Sequence, residues 1–136
     1  MTELKTKGNL TYRCVYRVIW FTQRMRGIFE DEALRNDLQL LLWEATTTLS
    51  VDVISCEILP DGVDIRIGLD PRRPLHKTIK DIKNKTAGGL KARHPELKRR
   101  MSSIWTYKYL ASTEGALTEE EIAEYRGQCA PANKKK

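Results

Sequence analysis

Hydrophobic and polar side chains alternate most clearly near the middle of the chain. Between residues 63 and 67, valine and isoleucine alternate with Asp64 and Arg66, and a period of two is typical of a β-strand with one apolar and one polar face. The preceding segment 51–59 is also rich in β-branched residues. Proline, aspartate and glycine at 60–62 favour a tight turn, since proline presets φ and glycine tolerates positive φ. The pattern predicts a hairpin whose polar face carries Asp64 and Arg66.

Four other segments have a regular apolar period. Residues 12–21 alternate as a strand, and the aromatic-rich segment 104–111 predicts another. Leucines between positions 34 and 49 recur at helical spacing after an acidic start, which favours a helix N-terminus. Apolar residues between 75 and 90 predict a second helix. The chain therefore reads β-α-β-β-α-β, followed by a short C-terminal helix.

This element order predicts an α+β protein of the ferredoxin-like, split β-α-β type. We expect a four-stranded antiparallel sheet with both helices on one face, and a C-terminal helix added to it. Residues 1–9 are expected to be a flexible N-terminus, 10–129 the single domain, and 130–136 a basic disordered tail.

Two local features refine the helices. Gly88 and Gly89 stand inside the second helix, where each costs about 1 kcal/mol, so they mark a kink, a close contact or an early end. Thr118 and Glu121 have the spacing of a capping box at the start of the last helix.

Composition and charge narrow the classes of function. The net charge of +6 and pI of about 9.3 favour a polyanionic partner. Cys14, Cys56 and Cys129 have no CxxC spacing and are expected to be reduced thiols of a cytoplasmic protein. Two histidines are too few for a His-rich metal centre within one subunit. No apolar run approaches the ~18 residues of a membrane span, so no membrane partner is expected.

Four stretches, in order and at matching spacing, carry a family resemblance. They are YRVIWFTQRMR at 16–26, EILPDGVDI at 57–65, IKDIKNKTA at 79–87, and the segment from Ile104-Trp105 to Tyr125. Each is weak alone. Together they resemble the single-tyrosine HUH transposases, which include small insertion-sequence transposases and REP-associated tyrosine transposases, over nearly the whole domain.

The resemblance implies a particular chemistry. In that family two histidines bind a divalent metal that polarises the scissile phosphate, and a helical tyrosine attacks it. By position the histidines fall on Gly62 and Asp64, and the tyrosine on Tyr125. The third ligand falls on Cys129, with Gln128 one place away.

Most of the implied metal site is therefore missing. Gly62 has no side chain, Asp64 is a weak candidate ligand, and Cys129 is too soft for Mg²⁺ or Mn²⁺. The resemblance implies a degenerate member with Tyr125 as a vestigial nucleophile. We expect no cofactor, or Mg²⁺ or Mn²⁺ if the site is active. From the residues alone, Asp64 could simply pair with neighbours and Tyr125 could be a core residue.

Binding of DNA is the property expected to survive. The resemblance implies single-stranded or hairpin DNA as partner and a homodimer. Basic residues predicted to contact phosphates, unless they form only a solvated face, are Arg24, Arg26, Arg72, Arg73, Lys80, Lys83, Lys85 and Arg93. Two alternatives stay open: an active transposase with a metal site rebuilt at Asp64, and a non-catalytic regulator or interaction module.

Overall fold

The computed structural model describes residues 3–115 and 118–129, without the side chains of Tyr125, Gln128 and Cys129. The elements in chain order are β1 (Lys5–Lys7), β2 (Leu10–Tyr12), β3 (Val15–Phe21), α1 (Glu32–Thr48), β4 (Asp52–Leu59), β5 (Gly62–Gly68), α2 (Leu75–Arg93), α3 (Glu96–Arg100), β6 (Leu110–Glu114) and α4 (Glu119–Cys129). Short 3₁₀ turns at Gln23–Met25 and Ile28–Glu30 connect β3 to α1.

The main sheet has four antiparallel strands in the order β4-β5-β3-β6. Strand β5 lies between the two strands of the β3-α1-β4 unit, and β3 lies between those of the β5-α2-β6 unit. Two β-α-β units are thus interleaved, as the split arrangement requires. The predicted α+β class with a four-stranded antiparallel sheet is confirmed, and so is the β4–β5 hairpin.

The core lies between one face of this sheet and the helices α1 and α2. Alternate residues of β3 and β5 are fully buried there, because successive side chains of a strand point to opposite faces. The helices contribute apolar residues at helical spacing, and Asp31 caps α1 by accepting hydrogen bonds from the main-chain N–H of Ala33 and Leu34. The opposite face of the sheet carries the polar Arg17, Asp64 and Arg66, together with the apolar Ile19 and Leu110.

Helix α2 runs unbroken through its glycine pair. A Cβ at Gly89 would lie 2.4 Å from Cδ2 of Leu41 on α1, whereas a Cβ at Gly88 would meet nothing within 4 Å. Of the three interpretations left open by the sequence, the close contact is the right one, and it concerns Gly89 alone.

The predicted fourth strand is misplaced. The strand is Leu110–Glu114 and not 104–111. Ile104 and Trp105 are buried, and the Trp105 indole N–H donates to Thr86 Oγ1 over 3.0 Å. Ile104 and Trp105 pack against α2 and the core, which explains why their pattern resembles that of a buried strand. Of these two residues only Trp105 forms a β-bridge, with Thr22.

The N-terminal region also differs from the expectation. Lys5–Lys7 pair with Leu10–Tyr12 in a small hairpin, within a segment predicted to be flexible up to residue 9. The long first strand predicted from residue 12 is interrupted before Val15. The predicted tail at 130–136 lies outside the described residues. Within those that are described, no helix is long and apolar enough to cross a membrane.

Candidate functional site

Two arginine–carboxylate pairs lie on the outer face of the sheet, and one of them includes Asp64, a predicted metal ligand. Arg17 of β3 donates to Asp64 of β5 through Nε (3.1 Å) and Nη2 (2.7 Å). Arg66, directly opposite Arg17 in the strand register, donates to Glu114 of β6 through Nη2 over 2.6 Å. Asp64 and Arg66 therefore share the polar face as predicted, but each pairs with a different strand.

The carboxylates of Asp64 and Glu114 on this face are each paired with an arginine. The Arg17 hydrogen bond lowers the pKa of the Asp64 carboxyl, and Arg66 does the same for the pKa of Glu114. Both acids are therefore ionised at neutral pH. Because Arg17 engages both oxygens of Asp64, a cation at that carboxylate would have to displace a bidentate, charge-assisted contact.

Gly62 is enclosed by the neighbouring strand. An added Cβ would lie 2.4 Å from the main-chain oxygen of Trp20 and 2.8 Å from Cδ1 of Phe21. The glycine belongs to β5 and does not have positive φ, so the reason inferred from the turn was wrong. Glycine is needed at position 62 because the main chain of β3 passes so close.

The described positions do not fit a divalent cation. Gly62 offers no donor and Asp64 is paired. The nearby Cys56 thiol has its pKa raised to about 11, chiefly by desolvation among its neighbours and then by the charge of Asp64, and stays protonated. Over residues 3–115 and 118–129, described side chains form no group of three or more potential metal ligands. Cys129 and Gln128, at and beside the predicted third ligand position, have side chains outside that description.

Helix α4, which contains Tyr125, is held at its first turn. Thr118 Oγ1 accepts from the Glu121 N–H, and Glu121 accepts in return from the Thr118 N–H, so the predicted capping box is confirmed. Glu121 also pairs with Arg13, whose Nη2 donates to Oε1 over 3.0 Å. Ile122 is 44% exposed. The Tyr125 side chain lies outside the described residues, so its role stays a prediction.

The predicted phosphate contacts fall into three groups. Arg24, Arg73, Lys80 and Lys85 are exposed, and Arg26 is half-buried. Arg72 and Arg93 are exposed but form ion pairs with Asp70 and Asp37. These seven are accessible to a nucleic acid, and their role as phosphate contacts stays a prediction.

The prediction that Lys83 contacts a phosphate is wrong. It is buried, and its ammonium donates to the main-chain oxygens of Thr106 (2.6 Å) and Lys108 (3.2 Å). Its charge is directed into the protein and not toward a phosphate. Helical spacing alone could not reveal this, because the carbonyl acceptors lie in a segment over twenty positions away in the chain.

A small basic cleft brings together residues that are distant in the chain. It has a volume of about 160 Å³ and is lined by Gln23, Arg24, Arg26, Arg100, Met101 and Ser102. Arg26 donates to the main-chain oxygen of Arg100 over 3.2 Å. Arg24 and Met25 have φ of 62° and 55°, a conformation that costs energy in residues other than glycine and is often found at functional sites.

The exposure of Tyr107 could not be predicted from the sequence pattern. Tyr107 is 88% exposed, and it lies beside Tyr109, which stacks on His76 of α2. The aromatic run was interpreted as a strand, and no local signal distinguishes the buried Trp105 from the exposed Tyr107.

Comparison with known proteins points to one family. A family model described as "Transposase IS200 like" matches residues 10–126. The ISDra2 transposase TnpA of Deinococcus radiodurans is 22% identical over 125 residues, which cover 90% of this chain and 89% of that protein.

Two solved structures share the fold. One is a crystal structure from Deinococcus radiodurans R1 described as a candidate transposase, with a TM-score of 0.76, 23% identity, and coverage of 91% of this chain and 96% of that one. The other is a REP-associated tyrosine transposase bound to a REP hairpin, with a TM-score of 0.57, 9% identity, and coverage of 90% and 68%.

Proposed function

Because the chain belongs to the IS200-like transposase family, we propose that it binds single-stranded or hairpin DNA and that its metal-dependent tyrosine site is degenerate. The observation that carries this proposal is the pair of positions 62 and 64. One is a glycine with no room for a side chain, and the other is a carboxylate held by Arg17.

The degenerate site follows from the chemistry of phosphodiester cleavage. A tyrosine hydroxyl is a weak nucleophile at neutral pH and needs a Lewis acid or a base to act. The Asp64 carboxylate is paired with Arg17, and the neighbouring Arg66 is paired with Glu114. On this proposal Tyr125 forms no covalent bond to DNA.

Support for DNA binding comes from charge and from a relative. The exposed Arg24, Arg73, Lys80 and Lys85 can approach phosphates, and the net charge is +6. A neighbour in fold is bound to a REP hairpin, which makes hairpin DNA the substrate to try first. The thiols of Cys14 and Cys56 are free, in keeping with the proposed cytoplasmic location.

We also propose a homodimer, as the family resemblance implies. The described part of α4 exposes Ile122 and is tied to the rest of its own chain through the Arg13–Glu121 pair. An exposed apolar residue on a helix held mainly at its first turn favours packing against a second copy.

The test is incubation with single-stranded hairpin DNA, with and without Mn²⁺, read by mobility shift and by denaturing gel. We expect a shift that weakens steeply with salt, because phosphate contacts release counterions. No covalent adduct should form, and Tyr125→Phe should bind like the wild type.

Two other outcomes would favour the alternatives. A Mn²⁺-dependent adduct that disappears in Tyr125→Phe would show an active transposase with a rebuilt site at Asp64. Absence of a shift at low salt would exclude binding of hairpin DNA and favour the regulator or interaction module. The control variant is Tyr107→Phe, which removes a different tyrosine hydroxyl and keeps the aromatic ring. It should change neither the mobility shift nor the denaturing gel.

A further inference from the structure

The most exposed aromatic side chain among the described residues belongs to a segment that is firmly held. Tyr107 is 88% exposed, in the segment 105–109 between the core and β6. An exposed ring of this size covers little of the protein's own apolar surface. Its position therefore calls for an explanation other than packing within the chain.

Polar contacts hold the segment on both sides of Tyr107. Lys83 donates to the carbonyls of Thr106 and Lys108, which precede and follow the tyrosine. The N–H of Thr106 donates to the Phe21 carbonyl over 3.0 Å, and Trp105 is hydrogen-bonded to Thr86. Burying an ammonium is costly, and desolvation lowers the pKa of Lys83. The segment is thus ordered before any ligand arrives, which removes part of the entropic cost of binding.

A groove of about 350 Å³ separates this segment from α2. Its wall includes Tyr107, Tyr109, His76, Lys80 and Asn84, and none of its lining residues is acidic. His76 and Tyr109 lie nearly parallel, with ring centroids 5.8 Å apart and a hydrogen bond of 3.0 Å between Nδ1 and the phenol oxygen. Lys80 is exposed on the helix side.

These groups match the chemistry of an unpaired nucleotide. Aromatic faces stack on bases with little regard to sequence, and lysines contact the backbone of single strands. A base inside a duplex stem presents no free face, so the groove suits a nucleotide outside a stem. The absence of carboxylates from its lining fits an anionic chain better than a basic peptide.

We propose that this groove binds an unpaired base of single-stranded DNA, stacked on Tyr107, with Lys80 on the adjoining phosphate. The inference rests on the proposed DNA binding and adds a site for a base beside the phosphate contacts. It predicts that the protein distinguishes a hairpin with a single-stranded tail from the same hairpin with a blunt end.

The experiment compares two probes: a blunt hairpin, and the same hairpin with an oligothymidine tail that carries one 2-aminopurine. Tyr107→Ala should bind the tailed hairpin about tenfold more weakly than the wild type and the blunt hairpin equally well. Tyr107→Phe should behave as the wild type, and Lys80→Gln should weaken binding of the tailed probe. The wild type should quench 2-aminopurine by stacking, and Tyr107→Ala should not.

The matched control is Trp43→Ala, which removes another exposed aromatic residue (65% exposed) from α1, beside the edge strand β4. It should leave both probes unaffected, and circular dichroism would establish that each variant is folded. Equal binding of the tailed hairpin by wild type and Tyr107→Ala would overturn the stacking site and leave the proposed function intact. The stacking site would also be overturned if Tyr107→Ala weakened binding of the blunt and the tailed hairpin equally, or if Trp43→Ala weakened binding as much as Tyr107→Ala. Failure of the wild type to bind either probe would refute both proposals.

Discussion

Gly62 is a residue whose identity is set by a neighbouring strand and not by its own backbone angles. The turn before it suggested a need for positive φ, but the residue has the extended backbone of β5. What excludes a side chain is the Trp20 carbonyl of β3. A main-chain atom inside a sheet cannot move aside as the end of a flexible side chain can.

We therefore predict that Gly62→Ala destabilises the protein by about 1–3 kcal/mol, as overpacking in a well-packed region does. Gly88→Ala is the matched control, because its Cβ meets nothing within 4 Å. It should stabilise the protein by about 0.5–1 kcal/mol, since alanine is the better helix former. Urea denaturation of both variants measures the two effects. Equal stability of Gly62→Ala and the wild type would contradict the crowding of β5 against β3.

Lys83 illustrates the same dependence for a charge. Its neighbours Lys80 and Lys85 are exposed, whereas Lys83 points toward the 105–109 segment. The position of a lysine along α2 decides whether it faces the protein. The carbonyls of Thr106 and Lys108 come within hydrogen-bond distance of Lys83 only once the chain has folded. A phosphate contact assigned from charge alone was for that reason misplaced here.

At the scale of elements, α4 depends on a single acidic residue for two contacts. Glu121 closes the capping box with Thr118 and pairs with Arg13 from the start of the domain. The box is a local feature and was predicted from the sequence. The pair with Arg13, 108 positions away, was not.

We predict that acid loosens α4 before it unfolds the domain. The Arg13 hydrogen bond, and then the N–H of Thr118, lower the folded-state pKa of the Glu121 carboxyl. A carboxyl with a lowered folded pKa stabilises its docked state fully above the unfolded value of about 4.3. That contribution is lost as the pH falls through the folded value.

The measurement is a pH titration from 6 to 2 followed by the amide NMR signals of residues 119–127. The signals should move toward those of an undocked helix below pH ~4.3, while the buried core signals hold their positions. Glu121→Gln should show the undocked signals already at pH 6. Glu124→Gln, on the exposed part of the same helix, should behave as the wild type. Docked signals in Glu121→Gln at pH 6 would refute this role for the ion pair.

At the scale of the whole molecule, the two faces of the main sheet differ. Helices α1 and α2 cover one face, whereas the other carries the Arg17–Asp64 and Arg66–Glu114 pairs beside the apolar Ile19 and Leu110. Helix α4 adds the exposed apolar residue Ile122.

We predict that the proposed homodimer depends on that exposed helix. Ile122→Asp should shift sedimentation equilibrium toward monomers, because it places a charge in a contact between copies. Trp43→Asp, an equally polar change at an exposed residue of α1, should leave the dimer intact. A dimer lost in Trp43→Asp and retained in Ile122→Asp would place the interface at Trp43 on α1. A wild-type protein that stays monomeric at tens of micromolar would refute the dimer.

The sequence by itself determined the α+β class, the β4–β5 hairpin, both long helices and the capping box of α4, because these features follow from periods and signals within a few residues. It also placed Asp64 and Arg66 on one polar face. The family match over residues 10–126 agrees with the resemblance that its motifs carry.

Only the tertiary structure decided which partner each polar group receives. The pairing of Asp64 with Arg17, the crowding at Gly62, the burial of Lys83 and the exposure of Tyr107 all arise from contacts between segments far apart in the chain. Local pattern records which face of an element a residue occupies. It carries no information about what the opposing segment places there, and that is set only when strands and helices pack.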